Sequence, residues 1–354
     1  MPLGCGAWRG FLQCRGGGVL TELPIVGGSM SRRLDDMSDA RVTITGASVM
    51  GLDAGRRAAC LRDLRLLNPW EHELSLWRDG EEVWVGPIVQ PKWGVDSIDV
   101  VARDLFQWFE KRRLWRNRTF VATDLATIFE TYAVDALHHD PTPAIDLAPT
   151  PTGITGDRTI LAGAYRRAAD ELRELARSGL DFTFVARQMI VGGLELDVPA
   201  IPTLVTEHFT APGPTCDLDG LSAVTQTAVV GTNRTNQGDP IVGIAGGIDP
   251  ELGLLQEVFN ESSVGDHNSA LAAADSRLDL LRHVPEVITG ALASTAPVIF
   301  DQLVPGARCP LKLALLARDV DATYRLHDLA VSFSDQGETV TPTFVTIGTV
   351  DDAT

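Results

Sequence analysis

His72 and Glu73 stand together like the opening of a zinc-hydrolase helix, where two histidines bind the metal and the glutamate activates water. The second histidine is missing, and the apolar alternation after Glu73 reads as a strand. His138, His139 and Asp140 offer three ligand types in a row. They fall at a predicted helix end, where the dipole favours histidine, and nothing nearby completes a zinc site. Cys216 to Gly220, CDLDG, begins like a calcium loop but lacks the acid that closes one, so it reads as a turn. Asp170, Glu171 and Glu174 share the polar side of a predicted helix and read as a solvated face, not as paired catalytic carboxylates. Ser29 in GGSMS lacks the second glycine of a nucleophile elbow. No phosphate-binding glycine loop is present. The five cysteines, at 5, 14, 60, 216 and 309, are odd in number and irregular in spacing, unlike a disulfide framework. Cys5, Cys14 and Cys60 are weak candidates for a shared metal; small buried hydrophobes are the plainer reading. No catalytic residue and no cofactor is expected.

What remains is indole. Six of the seven tryptophans lie between Trp70 and Trp115. Trp70, Trp77, Trp84 and Trp93 crowd around HELSLWRDGEEVWVGPI, and Trp108 follows. Asp79-Gly80 predicts a two-residue hairpin turn, because both central positions need positive φ. Trp77 has opposite parity to Leu74 and Leu76, and Trp84 to Val83 and Val85. If the aliphatic residues face inward, both indoles point outward and need cover. The cover is the Trp108 helix, a neighbouring subunit or a sugar. Trp70, Trp77, Arg78, Trp84, Trp93 and Trp108 are therefore the candidates for interface or core anchors, since Trp and Arg are enriched at such contacts.

The elements that must hold these residues are mostly strands. GFLQCRGGGVLTELP predicts a hairpin, and Val42 and Ile44 alternate in the next strand. Leu61, Leu64 and Leu67 mark a short basic helix that Pro69 ends. The tryptophan hairpin and SIDVVARD make a three-stranded meander, with Gly86-Pro87 breaking its middle strand. An aromatic helix follows, with Asp104 as N-cap and Gln107 closing a weak capping box. A helix is expected from Thr123 to about Leu137, then a Pro- and Thr-rich loop. A long helix is expected over DRTILAGAYRRAADELRELARSG, with Leu161, Tyr165, Ala168, Leu172 and Leu175 buried and Gly179 as its stop. Strands follow around Phe182, with Gly192-Gly193 turning the chain back. GLSAVTQTAVVGTN is β-rich. Another helix runs from about Ser269 to His283, capped by Asn268 or Asp266. APVIF, RCPLKLALLA, TYRLHDLAVSFS and ETVTPTFVTIG complete the strands.

The chain has 354 residues, 44% of them hydrophobic, ample for a packed core. A net charge of −17 leaves no basic stripe to neutralise phosphates, which argues against stable nucleic-acid binding. No apolar run is long enough to span a membrane. The first residues do not resemble a secretory signal, so folding in a cytoplasm is expected.

RRLDDMSDARVTI, LRLLNPWEHELSLWRDGEEVWVGPI and IDVVARDLFQWFEKR together resemble the minor tail proteins of siphophages that infect actinobacteria. That family is similar in turn to tail-tip and baseplate hub proteins of other tailed phages. The resemblance is strong over residues 30 to 115. It returns at LVPGARCPLKL and RLHDLAVSFSDQGETVTPTF. It implies a mainly β (α+β) fold with two tail-tube-like β-barrel domains and helical insertions. Residues 1–112 would form the first barrel, ending in the aromatic helix, 113–202 a mixed insertion, and 203–354 the second barrel with a helix near 266–284, the alternative being barrels that are discontinuous in sequence. It also implies a homotrimer whose six barrels continue a sixfold tube. Such a hub would sit at the virion tail tip and line the DNA exit path. Its partners would be the distal tail protein, the tape measure protein and other minor tail proteins. An acidic lumen would let DNA slide without a binding minimum. The chain ends soon after its last predicted strand, without the lytic or fibre extension that some hubs carry. The rival readings are a receptor- or carbohydrate-binding tail module and, less favoured, a cell-wall hydrolase.

Overall fold

The computed structural model describes all residues except 1–2, 194–195, 219, 221–222, 232–239, 262–263, 282–284 and 347–354. The N-terminal third contains β1 (Trp8–Cys14), β2 (Val19–Leu23), β3 (Ile25–Arg33), β4 (Asp39–Thr45), α1 (Gly46–Met50), α2 (Ala54–Arg65), β5 (His72–Arg78), β6 (Glu81–Trp93) and β7 (Ser97–Arg103). The middle contains α3 (Gln107–Lys111), β8 (Arg118–Asp124), α4 (Leu125–Leu137), β9 (Asp146–Pro149), β10 (Thr155–Ile160), α5 (Ala168–Ala176), β11 (Asp181–Val185) and β12 (Gln188–Gly192). The rest contains β13 (Leu204–Val205), β14 (Thr215–Leu218), β15 (Gln226–Gly231), β16 (Ile241–Gly246), β17 (Gln256–Glu261), α6 (His267–Leu281), β18 (Glu286–Thr289), β19 (Arg308–Leu315), β20 (Arg318–Ser334) and β21 (Gly337–Thr346).

The fold is mainly β, as expected. Strands from both ends of the chain join in one thirteen-stranded sheet, ordered β14-β18-β21-β20-β3-β4-β7-β6-β5-β1-β2, with β19 and β13 branching from β20. Among the described residues this order has two ends, so two separately closed barrels are not what the pairing shows. The cause is two long strands that each serve two neighbours. β20 pairs with β19 through Arg318–Arg325 and with β3 through Asp328–Ser334. A bulge between Leu326 and Asp328 marks the change of partner. β6 pairs with β5 as far as Pro87 and with β7 from Ile88 to Trp93. Gly86-Pro87 was expected to break this strand; it bends it instead, and β6 runs on to Trp93. A Cβ on Gly86 would lie 1.7 Å from the Arg103 carbonyl oxygen, so only glycine admits this crossing.

Three cores result. The largest lies under the main sheet and combines Leu12, Val42, Leu74, Leu76 and Val100 with Leu311, Leu326, Val331 and Phe344. α2 and the residue Leu67 after its cap close part of it, with Cys60 and Leu64 from the helix; Asp53 caps that helix by accepting from Arg56 N (2.9 Å). The second core belongs to the middle segment, where α4 and α5 pack Phe129, Tyr132, Leu172 and Leu175 against Phe182. The third is small: α6 packs Ala270, Ala274 and Leu278 on Val229 and Ala245 of the sheet β16-β15-β17.

Several local expectations are corrected. The long helix over 157–179 is only α5. Arg158–Ile160 pair with β8 instead, and Leu161 and Tyr165 are exposed, with Tyr165 at φ 48. The helical spacing was real only from Ala168 onward. The Pro-rich loop contains β9, parallel to β12. Ala186-Arg187, not Gly192-Gly193, turns β11 into β12, with Ala186 at φ 50. Asp104 does not cap α3 directly; its carboxylate accepts from Phe106 N (3.0 Å) and Ser38 N (2.7 Å), fixing the turn before it. APVIF leads into a 3-10 turn at Phe300–Gln302, and Thr215–Leu218 of the CDLDG region is a strand. Asp219 and His283 lie outside the described residues.

Candidate assembly surface

The DG turn forms as expected, with Asp79 at φ 55 and Gly80 at φ 94. The parity argument for the indoles fails one residue further on. A bulge between Leu76 and Trp77 places Leu76 opposite Trp84 and Trp77 opposite Glu82. Val83 is the extra residue, and a one-residue slip reverses every later face. Trp84 is consequently buried in the main core beside Leu76, while Val85 turns to the middle core. Trp77 is half-buried; its ring meets Phe11 edge-on at 5.6 Å and its Nε1 donates to Ser75 Oγ (2.8 Å). Trp108 is buried and covers Trp70, not the hairpin pair, with ring centroids 5.1 Å apart. Of the candidate indoles only Trp93 is outward, 52% exposed at the tip of the β6–β7 hairpin beside fully exposed Val95. A carbohydrate platform would therefore lack Trp84 and Trp108.

Arg78 is an anchor. It shares parity with Leu74 and Leu76 and lies inside the molecule. Its Nη2 and Nε donate to Glu338 Oε1 (2.5 Å) and Oε2 (3.0 Å), a two-pronged pair joining β5 to β21. Trp8 Nε1 also donates to Glu338 (2.6 Å), and the Arg78 guanidinium lies 4.7 Å from the centre of the Phe300 ring. Burial would raise the Glu338 carboxyl, but the Arg78 and Trp8 hydrogen bonds outweigh it and hold it below the ordinary range. Asp79 completes the corner: its Oδ2 accepts from Arg78 Nη1 (2.8 Å) and its Oδ1 from Ala7 N (2.9 Å).

Two further locks tie the middle segment to the main sheet. Glu73, fully buried, accepts from Arg187 at the β11–β12 turn and from Gly16 N (3.2 Å). Arg187 also donates to Gln13 Oε1 (2.9 Å). Burial keeps the Glu73 carboxyl above its usual value despite Arg187. Nearby, Asp35 Oδ1 accepts from Phe182 N (2.8 Å), Thr183 Oγ1 donates to Arg33 O (3.0 Å), and Arg325 pairs with Asp181. Asp35 is pushed up to about 6 and Asp104 to about 7, in both cases by burial. Sequence reading missed Glu338, Arg187, Asp35 and Arg325. Glu338 did carry a signal: it shares parity with Val340 and Phe344, so a charge stands at a core position.

Several of the ligand-like groups have partners within the protein. His72 Nδ1 accepts from Asn68 N (3.0 Å), and Asp140 accepts from Arg112 Nη2 (3.0 Å). Arg116 meets His138 Nε2 at 2.8 Å. Glu174 is not merely solvated; it pairs with Arg277 of α6 at 2.5 Å. Cys5 and Cys14 are exposed and Cys60 is buried, and burial holds the Cys60 thiol above its ordinary range. Among the described residues no three His, Cys, Asp or Glu side chains are grouped to hold a metal, and no disulfide forms. No described helix is long and apolar enough to cross a membrane.

No family model and no curated protein matches the sequence. Solved structures do match. A tail protein from Neisseria meningitidis aligns over 97% of this chain and 97% of its own, with a TM-score of 0.65 and 13% identity. A 43 kDa tail protein of the prophage MuSo2 from Shewanella oneidensis aligns over 96% and 98%, at 0.62 and 11%. An Escherichia coli component of the type VI secretion system, described as similar to the T4 phage tail proteins gp27 and gp5, aligns over 95% of this chain and 76% of its own, at 0.51 and 10%. These likenesses establish a shared fold from one end of the chain to the other.

Proposed function

We propose that this chain is a structural subunit of a phage tail, specifically the hub at the tail tip. The observation that carries the reading is the likeness to phage tail proteins over nearly the whole of both chains. A fold supports many functions in general, so the reading rests on the extent of this likeness and not on the fold class alone. Three buried charge pairs, Arg78 with Glu338, Arg187 with Glu73 and Arg325 with Asp181, join different elements and serve as fasteners. In this reading three copies form a ring that joins the tail tube to the tip and borders the DNA exit path. The distal tail protein, the tape measure protein and other minor tail proteins are its neighbours, and assembly takes place in the host cytoplasm. The threefold arrangement lets two barrel-like halves per copy continue a sixfold tube. The net charge of −17 suits a surface past which DNA moves without binding. The resemblance at residues 30 to 115 points to a non-contractile tail of an actinobacterial phage.

The test is to place an epitope on the chain and image labelled virions by electron microscopy. Label at the distal end of the tail, and tailless or tubeless particles when the gene is deleted, are the expected results. Normal virions lacking the chain would refute the proposal.

A further inference from the structure

α6 presents two faces. Ala270, Ala274 and Leu278 pack on the sheet beneath it. Ser269, Ala272, Ala273, Ser276 and Arg277 recur at helical spacing and line a cleft of about 600 Å³. The opposite wall of the cleft is the β8–β10 pair with the end of α5. Its volume lies within the roughly 300–1,000 Å³ of small-ligand sites. The outer face of a helix usually carries long polar side chains; serines and alanines in their place keep this cleft wide. Across from them Ala122 stands at φ 44, and its N–H donates to Asp157 Oδ1 (2.7 Å). Alanine takes that conformation only where its surroundings impose it, and such positions collect at ligand clamps.

The charges of the cleft cancel. Arg277 Nη2 and Arg177 Nη1 both donate to Glu174 (2.5 and 3.2 Å). With Arg158, Asp157 and Asp266, three guanidiniums stand against three carboxylates. The hydrogen-bonding capacity does not cancel. Arg158 donates to Ser178 Oγ (2.8 Å) and Asp157 O (3.2 Å), both neutral acceptors, and a guanidinium has five N–H groups. Hydroxyls of Thr119, Thr155 and Thr159 join it along the wall, and Val121 and Ile154 add exposed apolar area.

We propose that this cleft binds a short, uncharged oligosaccharide. An ion of either sign gains little from a wall whose charges sum to zero. A purely apolar body would strand the guanidinium and hydroxyl groups away from water. An added peptide strand needs a regular edge, and the β8–β10 pair is interrupted by a shift of register between Gly156 and Arg158. A sugar ring meets both needs: its hydroxyls donate and accept, and its C–H faces cover Val121 and Ile154. The proposal stands independently of the hub reading and puts the sugar contact away from the tryptophan hairpin.

The test is saturation-transfer NMR and titration calorimetry on the full chain with maltotriose, cellotriose and triacetylchitotriose. At least one of the three should bind with a Kd of about 1 mM or tighter. Ala272→Trp and Ser276→Trp place bulk in the cleft at exposed positions and should each weaken that binding about tenfold or more. Arg158→Gln should weaken it about tenfold by removing charged donors. Val95→Trp, at the tip of the β6–β7 hairpin, should bind like wild type. Circular dichroism and melting temperature establish that each variant is folded. No transfer to any of the three sugars, or tryptophan variants that bind as wild type does, would overturn the proposal. So would tighter binding of trigalacturonate than of the neutral sugars, because the cleft would then act as a cation. Loss of binding in Val95→Trp would move the sugar to the hairpin and end the case for the cleft. Virions lacking the chain would end the hub reading and leave these measurements standing.

Discussion

Arg78 and Glu338 show what a buried charge does in a scaffold. Both side chains are almost wholly shielded from water, and each satisfies the other through two hydrogen bonds. Such a pair stabilises little against an apolar replacement, but losing one partner strands the other. Arg78→Met should therefore cost about 3–5 kcal/mol in urea unfolding. The double variant Arg78→Met/Glu338→Gln should cost clearly less than the sum of the single changes. Additive costs would show that the two residues act independently. The core parity of Arg78, two residues on from Leu76, was legible in the sequence. Its partner was not, because nothing local links residues 260 positions apart. Trp84 was misplaced for a different reason: a bulge leaves no mark in a period-two pattern, yet it reverses the face of all that follows.

At the level of elements, the long strands β6 and β20 determine the architecture. Each changes neighbour partway along, and the change needs a bend. In β6 the bend depends on Gly86, where the Arg103 carbonyl fills the space a side chain would need. Gly86→Ala should destabilise the chain by about 3 kcal/mol, the upper range for overpacking. Gly80→Ala has open space around it and only the cost of positive φ, about 1–2 kcal/mol. Equal effects in a thermal melt would show that the crossing is not tight. The Gly-Pro pair was visible as an interruption, but sequence does not distinguish a strand that stops from one that turns a corner. The overlong helix failed for a related reason. Leu161 and Tyr165 fit the helical spacing of α5, yet pairing with β8 claimed the preceding residues, and tertiary pairing overrides a local period.

For the whole molecule, acidity was the plainest feature of the sequence, and it bears on stability as well as assembly. The mainly β class was legible too; the splice of the two ends through β3 and β20 was not, since it is a pairing between distant segments. Beside that splice Asp35 holds the middle segment through Phe182 N, and Asp104 fixes the turn before α3; both are buried carboxyls, raised to about 6 and about 7. A carboxyl raised on folding binds a proton more readily in the folded state than in the unfolded one. Its contribution is full below about 4 and is lost as pH rises through about 6 to 7. Glu338, Asp36, Asp124 and Asp140 are lowered on folding, so their contribution is present at neutral pH and lost as pH falls below about 4. The two trends oppose each other, and stability should peak between about pH 4 and 5. Between pH 5 and pH 7.5, Asp104 alone should account for a fall of about 2–3 kcal/mol. Asp104→Asn removes that slope. The variant also loses an acceptor, because both carboxylate oxygens take backbone N–H groups, so its absolute stability drops at every pH. The decisive reading is therefore the slope of unfolding free energy against pH, flatter in the variant across that window. An unchanged slope would place the titrating group elsewhere, and a wild-type maximum above pH 7 would mean that the lowered carboxylates outweigh the buried pair.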